Sequence, residues 1–423
     1  MRYWIVFLAL CGAALGETPT AIAVRGARVV TVSGPVLERG TVLLRGGLIE
    51  AVGENVSLPP DAWVIEGQGL TVYPGLIDAL RVIETPAGAA QAGGRGQPGP
   101  AAPATHSWLR AADLLNPADR SIEEARNAGF TTAVIFPGSG IFAGQGAVVN
   151  LAGEKRRMVV HSPAGQYVTS GTGGFARYPG SLMGVLAYIR QVCFDAAHYR
   201  AHRQAYDRQQ AGVPRPDYDR ALEGVVDSPR LLLPAGSKVE LERMARFAAE
   251  LQTDAVLYGA EAGYQAAGAL ARAKLPVLVR LKWPERPRDA DPDQRDSLRV
   301  LELRENAPST PAALAKAGVP FAFYAGGAAP REVARAVKRA LEAGLPQAAA
   351  IRALTLAPAE IYGLAGRMGS IDKGKMANLV VTDGPLFGEK VKVKYVFVEG
   401  VKFEPPPEAP PSAPGGPAAG GAA

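Results

Sequence analysis

Cysteine is almost missing from this chain: Cys11 and Cys193 are the two among 423 residues. Cys11 falls inside the apolar N-terminal stretch, so a mature chain would keep Cys193 alone and could form no intramolecular disulfide. Histidine is also scarce, four in all, and two of these share one short segment. Beyond the N-terminus no apolar run approaches the length of a membrane span. The formal charge of +6 is spread along the chain, with no run of Lys and Arg interleaved with aromatics, which argues against a nucleic-acid footprint. A Gly-x-Ser-x-Gly nucleophile elbow is absent as well.

What is present suits an enzyme-sized globular protein, with 48% apolar and 20% charged residues. Arg2 precedes an apolar run from Tyr3 to Leu15, and Ala14-Leu15-Gly16 places small residues where a signal peptidase reads them. Residues 1–16 are therefore expected to be a secretory signal, cleaved before Glu17, with the mature chain exported to the periplasm or outside the cell. Leu10 precedes Cys11 where lipidation needs a small residue, so no lipid anchor is expected.

From Ala21 to Gly67 short alternating strands are broken by Gly34-Pro35, Gly46-Gly47 and Pro59-Pro60, the pattern of a small β-sandwich. The middle changes to apolar strands separated by helices: Thr132 to Phe136, Ala255 to Tyr258, Pro276 to Leu281 and Val319 to Tyr324, with helical stretches such as Leu182 to Ala205 and Val239 to Leu251 between them. That order predicts a parallel α/β fold, and its length suits a (β/α)8 barrel. Strand patterns return at Asn378 to Thr382 and Val391 to Glu399. The expected organisation is a barrel over 73–369 inserted into a discontinuous β-sandwich built from 17–72 and 370–404. Two low-complexity stretches, a loop at 86–105 and the Pro/Gly/Ala tail at 405–423, are expected to be disordered.

Two segments carry a resemblance. One is Tyr73-Pro74-Gly75-Leu76-Ile77-Asp78-Ala79; the other runs from Ala353 through Gly369-Ser370-Ile371-Asp372-Lys373-Gly374-Lys375-Met376-Ala377-Asn378-Leu379-Val380-Val381. Together they resemble the amidohydrolase superfamily, in its exported imidazolonepropionase-related branch. The resemblance implies a barrel whose strand ends hold zinc or another divalent ion. That ion lowers the pKa of bound water to about 7 and so makes a nucleophile for hydrolysis. Its ligands in the family are His-x-His on strand one, a carboxylate or modified Lys on strand four, His on strands five and six, and Asp on strand eight. Matched to this sequence, strand one gives Leu80 and Val82, strand five Gly259, strand six Arg280 and strand eight Gly326; strand four gives no nameable residue. Leu, Val and Gly side chains offer no donor and a guanidinium repels a cation. No metal and no other cofactor is therefore expected.

Other constellations are weaker. His198 and His202 share a helix face at a spacing of four, but Arg190, Arg200 and Arg203 crowd them and no Glu follows His198, so a solvated helix is the better reading. Gly369 to Lys375 matches a phosphate loop formally, yet Met376 and a strand follow it, which favours a turn. His161 and Ser162 are adjacent in a strand and point to opposite faces.

The barrel mouth keeps charged groups: Arg280, Lys282, Glu261 and Asp78, with Arg81 and Glu84 nearby. Two readings stay open there, a site for a small anionic ligand with Arg280 as the fork, or ion pairs among these groups themselves. The functional expectation is an exported superfamily member without metal-dependent hydrolysis, acting in binding or assembly as a homo-oligomer or with an active paralogue. The alternative is hydrolysis of carbon–nitrogen bonds by an unusual site, with Glu261 as base and Arg280 as electrostatic stabiliser.

Overall fold

The computed structural model describes residues 21–85, 105–172, 178–287, 289–291, 293 and 295–406. The expected signal, the low-complexity loop apart from Thr105, and the tail apart from Pro405 and Pro406 lie outside the described residues.

Five strands open the described chain: β1 (Ala21–Val30), β2 (Val36–Arg45), β3 (Leu48–Gly53), β4 (Ala62–Glu66) and β5 (Thr71–Pro74). Ten follow in the middle: β6 (Leu76–Ile83), β7 (Phe130–Pro137), β8 (Phe142–Gln145), β9 (Ala147–Asn150), β10 (Val159–His161), β11 (Gln166–Val168), β12 (Leu231–Ala235), β13 (Ala255–Gly259), β14 (Val277–Arg280) and β15 (Phe321–Tyr324). The chain ends on β16 (Leu379–Thr382), β17 (Val393–Val398) and β18 (Val401–Phe403).

The two ends build one eight-stranded β-domain in the order β18-β17-β16-β5-β1-β2-β3, with β4 also on β1. β16 joins β5 antiparallel, Val380 opposite Tyr73, and this pairing ties the C-terminal segment to the N-terminal one. From Ala21 to Val30 the chain is a single strand whose register shifts between Val24 and Ala27, around Gly26 at φ +71°. A bulge at a glycine bends the strand without ending it. Val24, Val29, Val42, Leu44, Val72, Leu379 and Phe397 fill the core of this domain.

In the middle, β6 and β7 run parallel, and β11 to β15 form a second parallel run. Side-chain alternation divides the second run into two packed layers. Leu232, Val256, Leu278, Ala322 and Tyr324 meet Leu80, Val134 and Phe136 in an inner cluster. Leu231, Leu233, Leu257, Val277, Val279 and Phe323 belong instead to the larger cluster under the helices, with Leu241, Phe247, Val333 and Val337. This is the period-two signature of a barrel wall filled on its inside.

The barrel does not close into one ladder, and here the sequence-based expectation needs correction. The free edge of β7 is taken by β9, antiparallel, and the edge of β11 by β8, also antiparallel. The chain crosses between the two sheets at Gly146, where a Cβ would lie 2.1 Å from the Phe136 ring. At the other seam β15 and β6 share no ladder; the Ile77 N–H donates to the Leu354 carbonyl at 2.7 Å and the Tyr362 hydroxyl to the Ala79 carbonyl at 2.7 Å. Helical turns near the C-terminus thus satisfy backbone groups that a neighbouring strand would otherwise pair. The strand matched above to strand eight, β15, pairs directly with β14, Val279 opposite Phe323, so no strand stands between them among the described residues.

No helix of the described residues is long and apolar enough to cross a membrane. The 26-residue helix Leu182–Asp207 is capped by Ser181 and buries Val185, Ile189, Val192 and Ala196. Cys193 lies on it as a free thiol, pushed up to about 12 by burial and so unreactive at neutral pH.

Candidate functional site at the barrel mouth

The C-terminal ends of β12, β13, β14 and β15 open onto a cleft of ≈ 770 Å³ lined by Asp78, Leu80, Arg81, Tyr167, Gly236, Glu240, Tyr258, Glu261, Arg280, Tyr324 and Gly326 among others. Arg280 is the last residue of β14 and shares the inward parity of Leu278. On β13 the same parity belongs to Val256 and Tyr258. The inward residue at the end of that strand is therefore Tyr258, and the match of Gly259 to that position is one residue off. The Tyr258 hydroxyl donates to the Val168 carbonyl at 2.9 Å, and burial raises its pKa well above the ordinary phenol value. Its ring lies 5.1 Å from that of Tyr167. Tyr324, on β15, is likewise raised by burial, so three neutral phenols line the floor.

Leu80 is 4% exposed and packed in the inner cluster, whereas Val82 is 46% exposed. A register shift between Asp78 and Arg81 against β7 places the consecutive residues Ala79 and Leu80 in the same cluster, and Leu80 and Val82 both line the cleft, the first packed in its floor and the second exposed. Strict alternation is broken at this bulge, where two consecutive residues face inward.

Arg280 and Glu261 form the central charge pair, Nη1 to Oε1 at 3.7 Å, with side-chain exposures of 43% and 17%. Arg280 Nη2 donates to the Gly326 carbonyl at 3.4 Å, and its Nε is buried without a partner. The guanidinium thus has no short hydrogen bond. Asp78 sits at the β15–β6 seam, where its Oδ1 accepts from the Ala325 N–H at 3.0 Å. Burial pushes its pKa from 3.8 to about 6, against the pull of the Ala325 N–H and of Arg81.

Of the residues singled out from sequence, Arg280, Glu261 and Asp78 line this cleft together with Arg81. Lys282 does not: it is exposed and faces a second cavity of ≈ 700 Å³, which shares Gly236, Glu261 and Arg280 with the first. His161 is on β10 and lines neither cavity; burial, then Arg230 and Arg367, lower its pKa. His198 and His202 have rings 6.2 Å apart, and His202 Nε2 is spent on the Pro214 carbonyl at 3.0 Å. Among the described residues no group of three or more His, Cys, Asp or Glu is placed to hold a metal ion. The segment Gly369 to Lys375 is a turn of the β-domain, with Asp372 accepting from Ser33 at 2.8 Å and pairing with Lys375 at 3.0 Å.

The sequence reading passed over Glu240 and the tyrosines. Glu240 closes a capping box on the helix Lys238–Leu251, its Oε2 accepting from the Gly236 and Ser237 N–H groups at 3.0 and 2.9 Å. The Ser237-x-x-Glu240 spacing was a legible signal for it. Strand four, unnamed from sequence, is β12 and ends at Ala235, with Gly236 following.

The sequence model of the amidohydrolase family matches residues 282–402. The crystal structure of an amidohydrolase from Thermotoga maritima is similar over 90% of this chain and 100% of its own, with 28% identity and a TM-score of 0.74. The chain belongs to the amidohydrolase superfamily. Two more distant structures share the fold: another amidohydrolase, with 17% identity over 92% of this chain and 100% of its own and a TM-score of 0.53, and a prolidase complexed with N-methylphosphonate-L-proline, with 16% identity over 91% and 100% and a TM-score of 0.51. No curated protein matches significantly by sequence. The matched family stretch begins just past Arg280, so it leaves strand one and the central charge pair of this superfamily member outside it.

Proposed function

We propose that this protein is an exported amidohydrolase-superfamily member that works without a metal and binds a small carboxylate-bearing ligand at Arg280. The observation that carries the reading is the set of side chains at the strand ends where the superfamily resemblance puts metal ligands. Leu80 is core, Val82 is aliphatic, Tyr258 is a neutral phenol donating to a carbonyl, Arg280 is a cation and Gly326 has no side chain. This donor set does not fit a divalent ion. Metal-assisted activation of water is not part of the proposal. What remains is recognition. A guanidinium with no short hydrogen bond, set beside buried tyrosines in a ≈ 770 Å³ cleft, can take a carboxylate in two parallel hydrogen bonds.

The test is calorimetric titration of the mature protein with a panel of small mono- and dicarboxylates. Arg280→Met is expected to weaken any binding at least about tenfold, since charge-assisted hydrogen bonds contribute roughly 1.5–3 kcal/mol. Glu261→Gln is expected to strengthen it, because the competing carboxylate 3.7 Å away is gone. Unchanged affinity in Arg280→Met would remove the reading. The proximity of Glu261 to Arg280 also favours a second reading, hydrolysis of a carbon–nitrogen bond with Glu261 as base; full turnover by Arg280→Ala would count against it. A homo-oligomer or an active paralogue remains part of the proposal as the context of binding.

A further inference from the structure

We infer that Arg280 has taken the place of the metal: its guanidinium, seated on Gly326 and facing Glu261, is the resident cation of the barrel mouth, and the glycines around the pair are its seat. The inference rests on the metal-free reading above and goes beyond it, because it says what fills the space and why.

The glycines supply the argument. A Cβ on Gly326 would lie 2.6 Å from Arg280 Cγ and 2.7 Å from its Nε. One on Gly236 would lie 2.8 Å from Glu261 Oε2, and one on Gly259 would lie 3.3 Å from the same oxygen. These three glycines stand at the ends of β15, β12 and β13. A side chain at Gly326 would force Arg280 to move, one at Gly236 would push the Glu261 carboxylate aside, and at Gly259 that carboxylate would have to give by a few tenths of an ångström. The backbone at two of them is left-handed: φ is +109° at Gly259 and +61° at Gly326. The first disfavours any side chain, while Asp and Asn tolerate the second better than other residues do. The bare backbone at these three positions and the internal cation therefore fit one another as a single coupled arrangement. The arginine's charge is permanent, so the mouth keeps a positive centre that does not dissociate and cannot activate water as a metal would.

Coupling of this kind can be reversed in two steps. Arg280→His removes the cation and opens the seat, and Gly326→Asp then adds a carboxylate at a φ that Asp accepts. With Glu261 retained, three donors would surround the vacated space. Zinc affinity is measured by competition with a chromogenic chelator for the wild type, for each single variant and for the Arg280→His/Gly326→Asp double variant. Circular dichroism and thermal melting check that each is folded. The double variant is expected to bind zinc at least about tenfold more tightly than the wild type, as three-donor sites do relative to one carboxylate. Gly326→Asp alone, with Arg280 in the way, is expected to melt lower than the double variant. A folded double variant with wild-type zinc affinity would overturn the inference. So would a Gly326→Asp penalty that is the same with and without Arg280, because sites in contact must be non-additive. Tight zinc in the wild type would instead overturn the metal-free reading itself.

Should the double variant fail to fold, the pair Gly236→Ala and Glu261→Ala makes the same test from the other carboxylate. Gly236→Ala is expected to cost far less melting temperature when Glu261 is already Ala, and equal costs would overturn the inference.

Discussion

Replacing Asp78 with Asn is expected to abolish a pH dependence of stability amounting to about 3 kcal/mol. The carboxyl is 6% exposed, and burial raises its pKa from 3.8 to about 6, a difference that corresponds to about 3 kcal/mol. The folded protein holds this proton more tightly than the unfolded chain does. The contribution is therefore full below pH 3.8 and is lost as pH rises through about 6. Other carboxylates act in the opposite direction: hydrogen bonds from Ser121 hold Asp119 low, and the Lys392 N–H holds Asp383 low. The difference between wild type and Asp78→Asn isolates the one group. The Asn carbonyl can still accept from the Ala325 N–H, so the seam between β15 and β6 is kept. Urea unfolding of both proteins between about pH 4 and pH 8 should show the variant gaining on the wild type as pH rises. A flat difference would mean that Asp78 is not the buried, proton-binding group of the seam.

The second large effect is at strand one. Leu80→His restores the residue type that the superfamily resemblance places there, yet it is expected to destabilise by about 2–4 kcal/mol. Leu80 is 4% exposed and packed with Val134, Phe136, Leu232 and Leu278. An imidazole would leave polar nitrogens without partners in that cluster and would empty part of the volume Leu80 fills. Zinc is not expected to rescue the variant, because no second donor stands at Val82, Tyr258 or Arg280. Thermal melting with and without zinc checks this; a zinc-dependent rise above the wild-type melting temperature would contradict it.

How much of this was legible in the sequence differs from place to place. The parallel run β13, β14 and β15 stood out because short apolar strands alternate with helices. The return of the strand pattern after Gly369 implied that the C-terminal strands rejoin the N-terminal β-domain, but not that β16 pairs with β5, whose Tyr73 and Pro74 lie within the span expected for the barrel. Closure of the barrel was not legible. It depends on β8 and β9, four residues each, that turn on Gly146 and take the edges of β7 and β11. Nothing in their short apolar pattern separates an antiparallel insert from a barrel strand. The one-residue slip from Tyr258 to Gly259 has a similar origin. A match by eye fixes a strand but not its parity, and parity decides which residue faces the cleft.

The candidate site was legible in its charges and not in its seat. Arg280 and Glu261 end a strand and follow one, and charged residues in those places can be picked from sequence. That Gly236, Gly259 and Gly326 give way to them depends on contacts between strands far apart in the chain. Lys282 shows the reverse error: two residues beyond Arg280 it looks like part of the same cluster, but β14 ends at Arg280 and the chain carries Lys282 to the second cavity.

The measurement that bears most directly on the metal-free reading is elemental analysis of the protein, purified without chelator from metal-supplemented medium. A mouth whose cation is Arg280 predicts divalent metal well below one equivalent per chain. Metal near one equivalent, retained through dialysis, would contradict it.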